Sequence, residues 1–297
     1  MRKKMVYLVF DIGGTALKYG LLSKDGTIIE KYSEVIPESY ESLLARMDQL
    51  CKTYQNLSGV AISSPGIFDY ESGLLTTSSA LEYLKGKPFL RDLSLRIQLP
   101  MSIENDGKCA LLGEYWRGSA QEASIAAMFV IGTAVGGAIL INGDIHRGAH
   151  KNGGELGYML VQNRPEEQHY ASLGGKIGFH GLLQYLNQKG YSIRNGLELF
   201  ERAQENQTVE KLYKEQLSYL VVTALNLQYS LDPEIIVVGG AVSQNPYFKR
   251  MLDETIEQVM ARRANYMFPR LVIGKFGNDA NLLGALYHFL KGGSLET

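Results

Sequence analysis

The sequence is short of cysteine. Cys51 and Cys109 are its only two thiols among 297 residues, and neither belongs to a CxxC or a Cys/His cluster. They cannot staple a chain of this length. That excludes a disulfide framework and a zinc built on cysteines, and it fits a reducing, cytoplasmic setting. Charge of one sign is missing too: 30 Lys and Arg face 31 Asp and Glu, a formal net charge of -1. Such a balance lacks the electrostatic footprint of a nucleic-acid or anionic-membrane binder. There is no clean membrane-length apolar run. Residues 123–141 carry no charge and approach spanning length, but Gly132, Gly136 and Gly137 interrupt them. Two short β-rich runs meeting at a glycine turn explain that stretch better than a helix. The basic start, Met1-Arg2-Lys3-Lys4, is followed by no h-region or cleavage site, so a signal peptide is not expected. Two phosphate motifs are also absent. Gly175-Lys176 is followed by Ile177 rather than Ser or Thr, which removes a Walker A loop, and no GxGxxG follows a strand.

What is present looks globular. Hydrophobic residues make up 45% and charged residues 21%, which excludes disorder, and the length predicts about two domains. Residues 6–10, 18–23 and 27–35 read as strands joined by tight turns, one of them Asp25-Gly26. Residues 40–54 show helical spacing in Leu43, Leu44, Met47 and Leu50, and residues 59–63 return to strand. Residues 101–104 are a further strand and 108–116 a helix. In the second half, residues 125–131 and 138–141 form a hairpin. A long helical region follows over 178–230, with breaks near Gly190 and Gly196. Residues 235–238 are a buried strand, 248–263 an amphipathic helix, 271–274 a strand and 281–290 a final helix. Residues 164–168 read as an exposed loop. A meander mixed with βα units predicts an α/β fold with mixed sheets. Residues 10–15 and 129–133 also echo one another, each a strand running into Gly and Thr and then a second strand.

Several segments could carry chemistry. In Asp11-Ile12-Gly13-Gly14-Thr15, adjacent glycines let backbone N–H groups approach an anion, Thr15 adds a hydroxyl, and Asp11 could hold a magnesium shell through water. A hairpin turn in which the glycines only supply positive φ is the alternative. The same choice applies to Gly132-Thr133-Ala134-Val135-Gly136-Gly137. Gly239-Gly240 ends a buried strand where a nucleotide's ring or ribose could lie, or where close strand–helix packing wants no side chain. Within Glu104-Asn105-Asp106-Gly107, Asp106 or Asn105 could cap the following helix. Alternatively Asp106 is a general base that takes a proton from an attacking alcohol, with Asn105 recognising vicinal hydroxyls. Glu155, ringed by Gly153, Gly154 and Gly157, is either a solvated loop residue or an acceptor for sugar hydroxyls. His146 and His150 flank Gly148 with no third ligand nearby, so a loop rather than a metal centre is expected.

Taken together, these segments resemble the ROK family of sugar kinases and repressors, within the actin-like ATPase superfamily. The resemblance runs in order along nearly the whole chain. Residues 11–18 (DIGGTALK) are similar to the first phosphate motif, and Ser64-Pro65-Gly66 to the loop below the sugar. Residues 104–107 (ENDG) look like the catalytic segment. Residues 132–137 (GTAVGG) resemble the second phosphate motif, with Ala134 where glycine is usual. Residues 154–158 (GELGY) resemble the sugar-binding GExGH motif, 237–243 (VVGGAVS) the adenosine motif, and 279–285 the closing helix segment.

The resemblance implies a two-lobed actin-like ATPase (ribonuclease H-like) fold with a cleft between the lobes. Residues 1–117 plus 279–297 would form the small lobe and 118–278 the large one. It implies an ATP- and Mg2+-dependent transfer of phosphate to a sugar hydroxymethyl, usually O6, with Asp106 as the base. Ser64, Pro65, Gly66, Asn105, Glu155, Tyr158 and Gln168 would line the sugar. Asp11, Gly13, Gly14, Thr15, Lys18, Gly132, Thr133, Gly239 and Gly240 would hold the nucleotide, with Asp11 reaching magnesium through water. Lobe closure would exclude water. Such kinases often pair as homodimers, and no feature of this sequence decides that.

Departures from the pattern sharpen the expectation. The family's histidine is Tyr158 here. Its zinc-binding cysteine cluster has no counterpart in residues 162–170, so structural zinc is not expected. Gln168 aligns with a usual glutamate, and a usual asparagine is replaced near Ala80. Neutral contacts around the anomeric end would suit a substituted C1, as in a β-glucoside. Other classes are a sugar-responsive ROK repressor or a sugar-binding protein without kinase activity. The core starting near Val6 leaves no room for a helix-turn-helix before it, and retention of Asp106 favours a kinase.

Overall fold

The computed structural model describes residues 5–69, 72–77, 80–164, 169–261, 263 and 266–293. The chain divides into two compact units. One comprises Met1–Arg117, Gly148–Asn152 and Asp279–Thr297; the other comprises Gly118–Arg147 and Gly153–Asn278.

The first unit opens with an antiparallel meander of β1 (Val6–Ile12), β2 (Ala16–Ser23) and β3 (Ile28–Val35). From Tyr7 onward β1 is buried throughout, as expected for a central strand covered on both faces. Helix α1 (Tyr40–Thr53) starts at a reciprocal cap, in which Ser39 accepts from the Ser42 N–H and Ser42 from the Ser39 N–H. Such a cap contributes about 1 kcal/mol. The helix carries the chain over to β4 (Leu57–Ser64), parallel to β1. A short hairpin, β5 (Ile67–Asp69) and β6 (Leu74–Thr77), and then α2 (Phe89–Ser94) precede β7 (Met101–Asn105), which adds parallel to β4. Helix α3 (Asp106–Arg117) follows directly.

In the second unit β8 (Ile125–Ile131), β9 (Val135–Ile141) and β10 (Asp144–Ile145) form another meander. A hairpin, β11 (Leu160–Arg164) with β12 (His169–Ser172), leads to α4 (Leu173–Ile177), α5 (Phe179–Gln188), α6 (Gly196–Glu205) and α7 (Gln207–Leu231). Next comes β13 (Ile235–Gly239), parallel to β8, then α8 (Pro246–Met260) and β14 (Leu271–Ile273), parallel to β13. Helix α9 (Ala280–His288) belongs to the first unit.

The two sheets repeat one plan. Their orders are β3-β2-β1-β4-β7 and β10-β9-β8-β13-β14, and in each an antiparallel meander is extended by two parallel strands. The sequence echo at residues 10–15 and 129–133 therefore marks equivalent places, the ends of β1 and β8. Some element expectations need correction. The helical region over 178–230 is also broken at Asn206, whose side chain caps α7 by accepting from the Thr208 and Val209 N–H groups. Helix α8 stops at Met260, short of Arg263. Arg164 closes β11 rather than opening a loop, and 165–168 lie outside the described residues. Among the described residues no helix is long and apolar enough to cross a membrane.

In the first unit α3 and α9 meet backbone to backbone. A Cβ on Gly113 would stand 2.3 Å from the Ala280 carbonyl oxygen, and one on Gly284 would stand 1.7 Å from that of Cys109. Only glycine allows that approach, and it fixes the helix that begins at Asp106.

Candidate active site

Parallel strands expose their carboxyl ends on one edge, where α/β proteins seat ligands. In the first unit β1, β4 and β7 are neighbours, and register aligns Asp11 with Ser63, Ser63 with Glu104, and Ser64 with Asn105. The glycine turn, the Ser64-Pro65-Gly66 loop and Asn105-Asp106 thus leave adjacent strands side by side. Side chains tie the row together. Asp11 is 3% exposed; its Oδ1 accepts from Ser63 Oγ at 2.8 Å and from Asn281 Nδ2, on α9, at 2.9 Å. Lys18 Nζ stands 3.4 Å from Oδ2. Asn105 Nδ2 donates to the Gly66 carbonyl at 3.0 Å and to Asp106 Oδ1 at 3.1 Å.

The helix cap belongs to Asn105, not Asp106. Asn105 Oδ1 accepts from the Lys108 N–H at 3.1 Å, while Asp106 is the first helical residue and its Oδ1 accepts from the Gly107 N–H at 2.8 Å. Asp106 is half-buried beside the sugar-loop candidate. At Gly66 the backbone turns through φ +99°, a conformation that favours glycine.

Neither Gly13 nor Gly14 adopts the left-handed backbone, so positive φ is not what requires them. The Gly13 N–H closes the turn on Ala16 O at 2.9 Å, and Gly14 and Thr15 are exposed at its tip. The equivalent turn in the second unit behaves alike: the Gly132 N–H bonds Ala134 O at 2.9 Å, and Thr133 is exposed. The carbonyls of Gly132 and Thr133 accept from the Phe179 and His180 N–H groups, both at 2.9 Å, which anchors the turn on the start of α5. A Cβ on Gly132 would meet nothing nearer than Ala134 O at 3.9 Å. Packing within the protein therefore does not explain that glycine.

Glu155 follows Gly154, which takes φ +83°, and precedes a 3-10 turn over Leu156–Tyr158. This segment lies against β9: a Cβ on Gly157 would come within 1.9 Å of Val135 O, and one on Gly137 within 2.6 Å of Gly154 O. Tyr158 is 72% exposed. Gly240 takes φ +91°, and a Cβ there would stand 2.1 Å from Ile131 O, so close packing alone accounts for it. Gln168 lies outside the described residues. Among the described residues no cluster of three His, Cys, Asp or Glu could hold a metal directly. Asp11, whose Oδ1 already accepts two hydrogen bonds and whose Oδ2 faces Lys18, is not placed to ligate a metal directly, and a magnesium ion would meet it only through water. Ser63 and Asn281 escaped the sequence reading because they reach Asp11 from remote parts of the chain.

Known proteins match the chain over nearly its whole length. The ROK family model matches residues 7–291. A beta-glucoside kinase of Klebsiella pneumoniae is 33% identical over 293 residues, covering 96% of each chain. The structure resembles a ROK family protein from Streptococcus pneumoniae solved in complex with sucrose, with a TM-score of 0.86, 34% identity, and 97% of this chain and 98% of that one covered. It shares its fold with a ROK family glucokinase from Streptomyces griseus, solved with glucose and AMPPNP, at TM-score 0.82 and 20% identity over 97% of this chain and 100% of that one. Two sheets on one mixed plan, with the motifs at their strand ends and the family match spanning almost the whole chain, place this protein in the ROK family.

Proposed function

We propose that the protein is an ATP-dependent kinase for the 6-hydroxymethyl of a hexose or β-glucoside, with Asp106 as general base. The observation that carries this reading is the row at the ends of β1, β4 and β7. There a glycine turn, a Ser64-Pro65-Gly66 loop and Asn105-Asp106 emerge together, linked by the Asn105–Gly66 and Ser63–Asp11 hydrogen bonds. Bound ATP supplies the phosphoryl group. The chain's part is to orient the sugar alcohol and to accept its proton at the Asp106 carboxylate as the new P–O bond forms. Gly14, Thr15 and Thr133 would cradle phosphate oxygens through exposed N–H and hydroxyl donors, and Gly132, whose own N–H is taken by Ala134, would give them room. Lys18 would add positive charge, and Asp11 would hold the waters of a magnesium ion.

For the sugar, Ser64, Pro65, Gly66, Asn105 and Glu155 would contact ring hydroxyls. A glucoside carries no proton on its anomeric oxygen, so a carboxylate facing it would be left without a donor. Tyr158 and Gln168 are neutral, and a relative at 33% identity is named a beta-glucoside kinase; both favour a β-glucoside. A cytoplasmic setting and a homodimer belong to the same proposal.

The test is ADP release over glucose, mannose, allose, N-acetylated hexoses and β-linked disaccharides. Turnover of β-linked sugars is expected. Glucose turnover with complete inactivity on cellobiose-like sugars would overturn the glucoside assignment, and no sugar-dependent ADP release at all would overturn the kinase.

A further inference from the structure

Two lysines next to this site have no part in the chemistry above. Lys108 is 2% exposed, unusual for a lysine, and sits on the first turn of α3 just after Asp106. An ammonium there opposes the helix dipole, so its surroundings must hold it. Its Nζ donates to the Lys151 carbonyl at 3.4 Å. Lys151 in turn sets its own ammonium against Asp69 Oδ1, while Asp69 Oδ2 accepts from Ser72 at 2.8 Å. Asp69 ends β5, the strand that leaves the Ser64-Pro65-Gly66 loop. Lys151 also adopts φ +63°, a backbone conformation that a side-chain-bearing residue keeps only where its neighbours enforce it.

The segment Gly148–Asn152 clusters with the first unit although the chain on either side of it belongs to the second. It is therefore a strap laid across the sugar-loop hairpin and the catalytic turn, held at both ends of one residue. We propose that Lys151 is a positioning residue for sugar recognition, stapling the hairpin after the Ser64-Pro65-Gly66 loop, through Asp69, to the turn that carries Asp106, through Lys108. Asn105 to Gly66 is a second staple between the same two pieces. Losing the strap would let the loop and the base drift apart while leaving the nucleotide side untouched.

The inference rests on the kinase reading, and the experiment separates the two. Lys151→Met keeps the stem and removes the charge; Asp69→Asn keeps the shape. Each should raise sugar KM about tenfold, because a loop released from its staple gives up ground-state contacts with the sugar, and leave ATP KM within about twofold. A loss of stability alone would lower the active fraction without moving sugar KM. The double variant should be no worse than either single, since the two act through one contact. The exchanged pair, Asp69→Lys with Lys151→Asp, should recover most of the sugar KM. Sugar KM unchanged in both singles, or a double effect equal to the product of the singles, overturns the proposal. Should the wild type release no ADP with any sugar, the kinase reading fails and amide exchange decides the staple by itself. Lys151→Met should then speed exchange over residues 148–152 about tenfold without changing β1, and unaltered exchange overturns the proposal.

Discussion

Replacing Asp106 by asparagine tests the chemistry with little disturbance to the fold. Asp106 Oδ1 accepts from the Gly107 N–H at 2.8 Å and from Asn105 Nδ2 at 3.1 Å. An amide oxygen can accept both, and Asn105 rather than Asp106 caps α3. The stability cost should thus stay within about 1 kcal/mol, the scale of one net hydrogen bond. On the proposed mechanism catalysis would lose its proton acceptor. General-base removal lowers turnover by ~10²–10⁴-fold, which is ~2.7–5.4 kcal/mol at 1.36 kcal/mol per tenfold. Sugar KM, or sugar affinity by calorimetry, should change little. The assay is coupled ADP release at saturating ATP on freshly purified protein. Freshness matters because the new amide would directly precede Gly107, and an Asn-Gly step deamidates back toward aspartate. Asp106→Ala therefore runs alongside as a variant that cannot revert. If fresh Asp106→Asn turns over within about threefold of wild type, well short of the general-base range, Asp106 is not the base.

Asn281→Ala removes a donor from buried Asp11. Hydrogen bonds to charged groups are worth about 1.5–3 kcal/mol, so kcat/KM for ATP should fall at least tenfold with sugar KM steady, and unchanged ATP kinetics would refute the link. Gly284→Ala forces a methyl to 1.7 Å from the Cys109 carbonyl oxygen. Overpacking by ~1–3 kcal/mol should lower Tm by about 2–4 °C per kcal/mol, and a Tm within error of wild type would show that the helices part freely. Burial pushes the Cys51 thiol up to about 12, with nearby Asp48 adding to the rise, and raises Cys109 as well. Both are thus held protonated. The stability linked to Cys51 is complete below about pH 8.5 and drains away as pH climbs toward about 12. At pH 8 a disulfide reagent should label the native chain on the order of a hundredfold slower than the urea-unfolded chain; equal rates would refute this.

Much of the fold was legible because its strands announce themselves. The apolar run of β1 and the Asp25-Gly26 turn define the first meander, and the glycines at 132, 136 and 137 split what would otherwise read as a span. The short strands β5, β6, β11 and β12 carry too few residues for a period to show. The break at Asn206 was hidden because helical spacing continues on both sides of a capping side chain. At the site, the residues within motifs could be read locally. What could not be read were contacts made by tertiary folding: Asn281 and Ser63 meeting on Asp11, Asn105 reaching Gly66, and Lys151 sitting between Asp69 and Lys108. The assignment of the cap to Asn105 rather than Asp106 also depends on a rotamer choice that spacing leaves open.

The glycine contact between α3 and α9 also bears on how the molecule is made. The two helices lie about 170 residues apart in the chain, so the ribosome delivers α3 long before the partner that completes its packing exists. Residues 118–147 and 153–278 make up the second unit and emerge in between. Its core can gather while Gly113 still faces solvent. Chains truncated before Ala280 and carried clear of the ribosome on a linker should therefore hold a folded second unit and an unfinished first one. Catalytic geometry would be among the last things the newborn chain acquires.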